Sequence, residues 1–130
     1  MASYLIDTNI LVLAIRRQQA RAELFNTLLA AGHSLSCSVI TIGEICARMR
    51  PHEVQRTEEL LAALGAYNVT EQIARQGGSL KNVWAAKGRT LTLADTIIAA
   101  TAIQYDLILV TENRKDFPMP EIRLYSPVAG

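Results

Sequence analysis

The sequence predicts an α/β fold with a mostly parallel sheet, and three observations carry that prediction. Short apolar runs of strand length recur along the chain, Tyr4-Leu5-Ile6 and Leu107 to Val110 being the clearest. Stretches with apolar residues at helical spacing separate them, which is the alternation of βα units. Half of the 130 residues are apolar and 19% are charged. That is enough for one domain over residues 1–130 with its own core, and too little charge for a disordered chain.

Taken in order, Tyr4 to Ile6 reads as a buried strand that ends at Asp7. Ile10, Leu11, Ala14 and Ile15 then repeat at helical spacing after the Asp7-Thr8-Asn9 turn. Leu24, Phe25, Leu28 and Leu29 give a second helix an apolar face, and Gly32 marks its end. Leu35 to Ser38 is the next strand, and Thr41 to Met49 the next helix, with Pro51 opposing continuation. Val54, Leu60, Leu61 and Leu64 define a helix closed by Gly65, followed by a short strand at Tyr67 to Val69. Thr70 is placed to cap a further helix, which Gly77-Gly78 should weaken or split before Leu80 to Lys87, with Gly88 ending it. A long helix from Leu93 to Gln104 leads into the Leu107–Val110 strand, and Arg123 to Tyr125 forms a last one.

Composition excludes several classes of function. Thirteen basic against twelve acidic residues leave a net charge of +1, so no global field draws the chain to nucleic acid or to anionic lipid. Aromatic residues make up 5% of the chain, too few for a stacking platform for single-stranded bases. Cys37 and Cys46 are too few and too badly spaced for a disulfide framework or a zinc knuckle, and both read as reduced core cysteines. His33 beside Gly32 and His52 beside Pro51 read as solvated loop residues rather than ligands. The start of the chain has no basic segment followed by an apolar one, as a signal peptide would. Leu91 to Val110, the most membrane-like stretch, carries Asp95, Gln104 and Asp106. The expected compartment is the cytoplasm, with no membrane association.

In open parallel sheets, ligands bind beyond the carboxyl ends of the strands, and that rule sorts the acidic residues. Asp7 directly follows the first strand, and Asp116 lies in the loop that leaves the Leu107–Val110 strand. Glu44 and Asp95 each fall in the first turn of an expected helix, so all four can converge on one crevice. Such a group of oxygen donors is what hard cations such as Mg²⁺ or Mn²⁺ require. Each acid also has an ordinary alternative. Asp7 and Asn113 could be helix N-caps, and Thr41…Glu44 and Thr92…Asp95 both fit the capping-box spacing. Against that, Asp95 precedes the almost wholly apolar Thr96 to Ala102, and Glu44 sits between Ile42-Gly43 and Ile45-Cys46-Ala47. Carboxylates on interior elements are seldom buried without a partner or a metal.

Four motifs in this order resemble the PIN domain over essentially the whole chain. They are Asp7-Thr8-Asn9 after a short first strand, Glu44 in the third helix, the Leu93 to Ala102 block around Asp95, and Leu109 to Phe117 around Asp116. The chain length is similar to that of the VapC-type toxins of bacterial toxin–antitoxin pairs. The resemblance implies a three-layer α/β/α sandwich and a Mg²⁺- or Mn²⁺-dependent endoribonuclease. Asp7, Glu44, Asp95 and Asp116 match the family's acidic quartet, which would hold the metal and carry the catalysis. Thr111 and Asn113 match its polar support, with Asn9 bracing Asp7. It further implies a homodimer bound to a small antitoxin, docked on apolar residues of the early helices, whose tail brings an Arg into the acidic site.

In that reading the metal and Glu44 prepare a water to attack an RNA phosphodiester. Arg48, Arg50, Arg114 and Lys115, near Glu44 and Asp116 in sequence, are candidates to hold the RNA backbone or simply a solvated face. A haloacid-dehalogenase-type phosphatase also places an Asp after its first strand. It needs Asp-x-Asp, and Asn9 stands in the second position here. The remaining alternative is a non-catalytic PIN-fold module that binds RNA or protein.

Overall fold

The computed structural model describes residues 2–16 and 19–125. A five-stranded sheet in the order β3-β2-β1-β4-β5 forms its middle layer. The strands are β1 (Ser3–Ile6), β2 (Ser34–Ser38), β3 (Gly65–Tyr67), β4 (Ile108–Val110) and β5 (Arg123–Tyr125). Every pairing is parallel. The helices are α1 (Thr8–Ile15), α2 (Gln19–Ala30), α3 (Val39–Arg48), α4 (Val54–Ala62), α5 (Glu71–Ala86) and α6 (Leu93–Tyr105). Two short 3-10 turns, Pro51–Glu53 and Arg114–Asp116, complete the path.

Alternation along the strands makes the sandwich. Tyr4 and Ile6 of β1, with Leu35 and Cys37 of β2 and Val110 of β4, pack into one core with Ile10 and Leu11 of α1 and Phe25 and Leu28 of α2. Leu5 and Leu109 point to the opposite face and meet Ile98, Ala99 and Ala102 of α6 together with Phe117. The α/β/α layering is therefore written in the two-residue period of β1 and β4. Leu5, Ile6, Leu109 and Val110 are fully buried. Burial of each contributes about 1.5–3 kcal/mol.

Several local expectations shift. The third helix begins at Val39, because Ser38, the last residue of β2, takes the cap and accepts from the Ile40 N–H at 3.2 Å. Thr41 is thus not a cap, and Glu44 lies in the second turn rather than the first. Strand β3 starts at Gly65 and not at Tyr67, its register set by pairing with Ser36 to Ser38 of β2. The Gly77-Gly78 pair neither weakens nor splits α5, which is continuous. A Cβ at Gly77 would stand 2.9 Å from Ile97 Cγ1 and 3.1 Å from Ile97 Cα. The glycine is what lets α5 lie directly on α6, and that packing outweighs its poor helix propensity. Cys46 is exposed, on the outer face of α3, whereas Cys37 is buried as expected. His33 is half-buried rather than fully solvated. Its Nδ1 accepts from the Ala2 N–H at 3.1 Å, and its ring meets Tyr4 edge-on at 5.3 Å. Thr70, Thr92 and Gly88 act at helix ends as the sequence suggests. Among the described residues, no helix is long and apolar enough to cross a membrane.

Candidate active site

The strand order reverses at the β1–β4 seam, because the chain builds outward from β1 to β2 and β3 on one side and from β4 to β5 on the other. Ligand crevices of open parallel sheets form at such a switch point. The register pairs Ile6 with Val110, the last residues of the two strands. The next residues, Asp7 and Thr111, therefore emerge side by side. Asp7 N–H donates to Val110 O at 3.0 Å, which holds the first residue beyond β1 in line.

Asp7 is buried and well supplied with donors. Its Oδ1 accepts from the Thr8 N–H at 2.8 Å, the N-cap bond of α1, and its Oδ2 accepts from the Thr111 hydroxyl at 2.8 Å. Thr111 is fully buried, and its hydroxyl oxygen also accepts from the Asn113 N–H at 3.0 Å. The cap reading and the site reading of Asp7 are thus compatible, since one oxygen serves each. Burial pushes the Asp7 carboxyl above its ordinary value, with Glu44 and Asp116 adding negative charge nearby, while the Thr111 and Thr8 bonds pull the other way.

Glu44 arrives from the second turn of α3. Its Oε1 accepts from the Thr8 hydroxyl at 2.7 Å, and the Thr41 hydroxyl lies 3.1 Å from that of Thr8. Asp95 arrives from the start of α6, where the Thr92 hydroxyl accepts from its N–H at 3.1 Å. Its carboxyl is pushed up to about 6, first by burial and then by the negative charges of Asp7, Asp116 and Glu44. Asp116 closes the ring from the Arg114–Asp116 turn, whose neighbouring Lys115 carbonyl accepts from the Arg89 guanidinium.

The four acids, with Asn9, Arg48 and Asn113, line a cavity of about 270 Å³. Among the described residues, no three acidic, histidine or cysteine side chains stand together as a finished ligand set for one ion. The chemistry of the donors nonetheless fits a hard divalent cation. They are oxygen groups in which burial raises Asp7 and Asp95, with repulsion among the acids adding to it, and a cation would offset both. A cavity with these walls can hold a cation, orient a water and receive a phosphate that the cation neutralises.

The structure gathers all seven residues singled out in the sequence, though not with the expected contacts. Among the bonds of the described residues none joins Asn9 to Asp7 as a brace, and the Asn9 Oδ1 instead accepts from Arg48 Nη2 at 3.0 Å. Thr8 and Thr111 do that work. Of the four cations named above, Arg48 is the one lining the cavity among the described residues. Thr8 and Thr41 are the residues that sequence reasoning missed. The Asp7-Thr8-Asn9 motif contained the signal for Thr8, but its partner lies 36 residues away on another element.

Comparison with known proteins adds an independent line. A family model for the PIN domain matches residues 4–119. The chain is 37% identical to Ribonuclease VapC19 of Mycobacterium tuberculosis over 115 residues, covering 88% of this chain and 92% of the relative. Among solved structures, a toxin–antitoxin complex from Klebsiella pneumoniae superposes with a TM-score of 0.77 at 30% identity, over 96% of this chain and 98% of the other. VapBC2 from Rickettsia felis, bound to a promoter DNA fragment, gives a TM-score of 0.82 at 24% identity, over 95% and 97% of the two chains, a likeness of fold.

Proposed function

The chain belongs to the PIN-domain family, and from that premise we propose that it is a metal-dependent endoribonuclease, the toxin of a toxin–antitoxin pair. The observation that carries the reading is the convergence of Asp7, Glu44, Asp95 and Asp116 on one cavity at the β1–β4 switch point. The ribonuclease name of the Mycobacterium relative supports RNA as substrate.

Asp7, Asp95 and Asp116, with Glu44, would hold Mg²⁺ or Mn²⁺, which when bound lowers the pKa of a water and neutralises a phosphodiester oxygen. Thr111 and Thr8 fix both oxygens of Asp7, so its carboxylate would meet the cation without reorganising. Thr8 holds one oxygen of Glu44, which leaves the other to orient the attacking water and take its proton. Asn113, held by its own N–H against Thr111, presents its amide to the scissile phosphate.

A groove between α1, α2 and α4, lined by Ala14, Ile15, Phe25 and Leu60 with Arg56 at its side, has a volume of about 170 Å³. It supports docking of an apolar antitoxin helix, and the Klebsiella toxin–antitoxin complex supports an antitoxin as the partner. In this reading the chain is a cytoplasmic homodimer neutralised by that antitoxin, whose Arg-bearing tail reaches the acidic cavity. Incubation of single-stranded RNA with the purified chain tests the enzymatic reading. Internal cleavage with Mg²⁺ or Mn²⁺ and none with EDTA is expected. Intact RNA under every condition would leave a non-catalytic PIN-fold module that binds RNA or protein.

A further inference from the structure

A ring of four carboxylates repels the polyanion it is meant to cut, so affinity for RNA must come from cations just outside it. Asn9, Arg48 and Asn113 line the acidic cavity and also a second cleft of about 300 Å³, so the two adjoin along these residues. Arg16 and Glu112 are in the second cleft as well. Arg16 is committed: its Nε pairs with the buried Glu53 at 3.2 Å, and its Nη2 donates to the Arg48 carbonyl at 3.2 Å. Glu53 in turn accepts from the Arg50 N–H at 2.9 Å. Those bonds fix the backbone at Arg48. Glu112 has interactions of its own.

Arg48 differs from Arg16. It is exposed, and among the described residues its guanidinium bonds the Asn9 amide oxygen and forms no ion pair with a carboxylate. An amide oxygen is a weaker acceptor than phosphate, so an incoming phosphate can take its place. Building on the ribonuclease reading, we propose that this second cleft is a subsite for an RNA backbone phosphate flanking the scissile one. Arg48 is its contact, and Arg16 and Glu53 are positioning residues.

The test is steady-state cleavage of a fluorescent single-stranded RNA by the full chain with Mg²⁺ over a range of salt. Binding of the same RNA to metal-free protein, read by anisotropy, gives an answer independent of turnover. Arg48→Gln is expected to raise KM about five- to tenfold with little change in kcat, the loss of one charge-assisted contact. The slope of log affinity against log salt should fall by about 0.7, one phosphate's share on a single strand. Arg48→Lys should keep most of that slope. Unchanged melting temperatures would show that both variants fold. A cleaving wild type with unaltered KM and salt slope in Arg48→Gln would overturn the subsite alone. A wild type that cleaves no RNA would overturn the ribonuclease reading, and the subsite with it.

Discussion

The Thr8 hydroxyl stands 2.7 Å from Glu44 Oε1, one residue beyond Asp7, and so fastens the carboxylate of α3 to the turn that carries the carboxylate of β1. Thr8→Val keeps the shape and removes the bond. It leaves Glu44 without that donor, and activity should fall about 10- to 100-fold, as for other supports of metal-binding groups. The fold should lose about 1–2 kcal/mol, since the Thr41 hydroxyl also loses its partner. Cleavage rates and denaturant titrations check both. Wild-type activity in Thr8→Val would mean that Glu44 needs no such anchor.

The two adjacent glycines of α5 should respond oppositely to alanine. At Gly77 the new methyl meets Ile97 backbone atoms at 3.1 and 3.2 Å, which cannot move without parting α5 from α6. Gly77→Ala should therefore destabilise by about 1–3 kcal/mol. At Gly78 nothing lies within 4 Å, so Gly78→Ala should stabilise by about 0.5–1 kcal/mol through helix propensity. Urea midpoints of the two variants decide the matter, and equal shifts would contradict the close approach of the helices.

These glycines also show where the sequence is legible. The βα alternation, the parallel sheet and the candidate acids could be read from apolar runs and from the strand-end rule. So could the caps at Thr70 and Thr92, which are local. What could not be read depends on distant partners. Gly77 looks like a helix breaker until Ile97 is set against it. Ser38 displaces Thr41 as a cap only because β2 runs straight into α3. Tyr4 holds His33 by an edge-on contact, and Arg48 captures Asn9 from 39 residues away. One-dimensional spacing holds no record of such contacts.

The acids of the cavity make stability depend on pH in a defined sense. Burial and the neighbouring acids push Asp95 from 3.8 up to about 6, and Asp7 moves in the same direction. Between those values the folded chain binds more protons than the unfolded one, so stability falls as pH rises from about 4 to 6. Glu53 works in the opposite sense, its carboxyl held down by the Arg50 N–H and by Arg16, but only below its ordinary 4.5. Denaturation in EDTA should give a lower midpoint at pH 7 than at pH 5, and Asp95→Asn should flatten the profile. A wild-type midpoint that rises over this range would contradict the picture.

Four carboxylates on one cavity should bind a divalent cation, and thermal melting with Mn²⁺ against EDTA shows whether they do. A ligand at a hundred times its Kd stabilises the fold that binds it by about 2.7 kcal/mol. For a chain of this size that is a rise of about 10 °C. Wild type should show this rise, while Asp95→Asn should melt higher than wild type in EDTA and gain little from Mn²⁺. Equal metal-induced shifts in the two proteins would mean that Asp95 holds no metal, and the reading of the four acids as one site would fail.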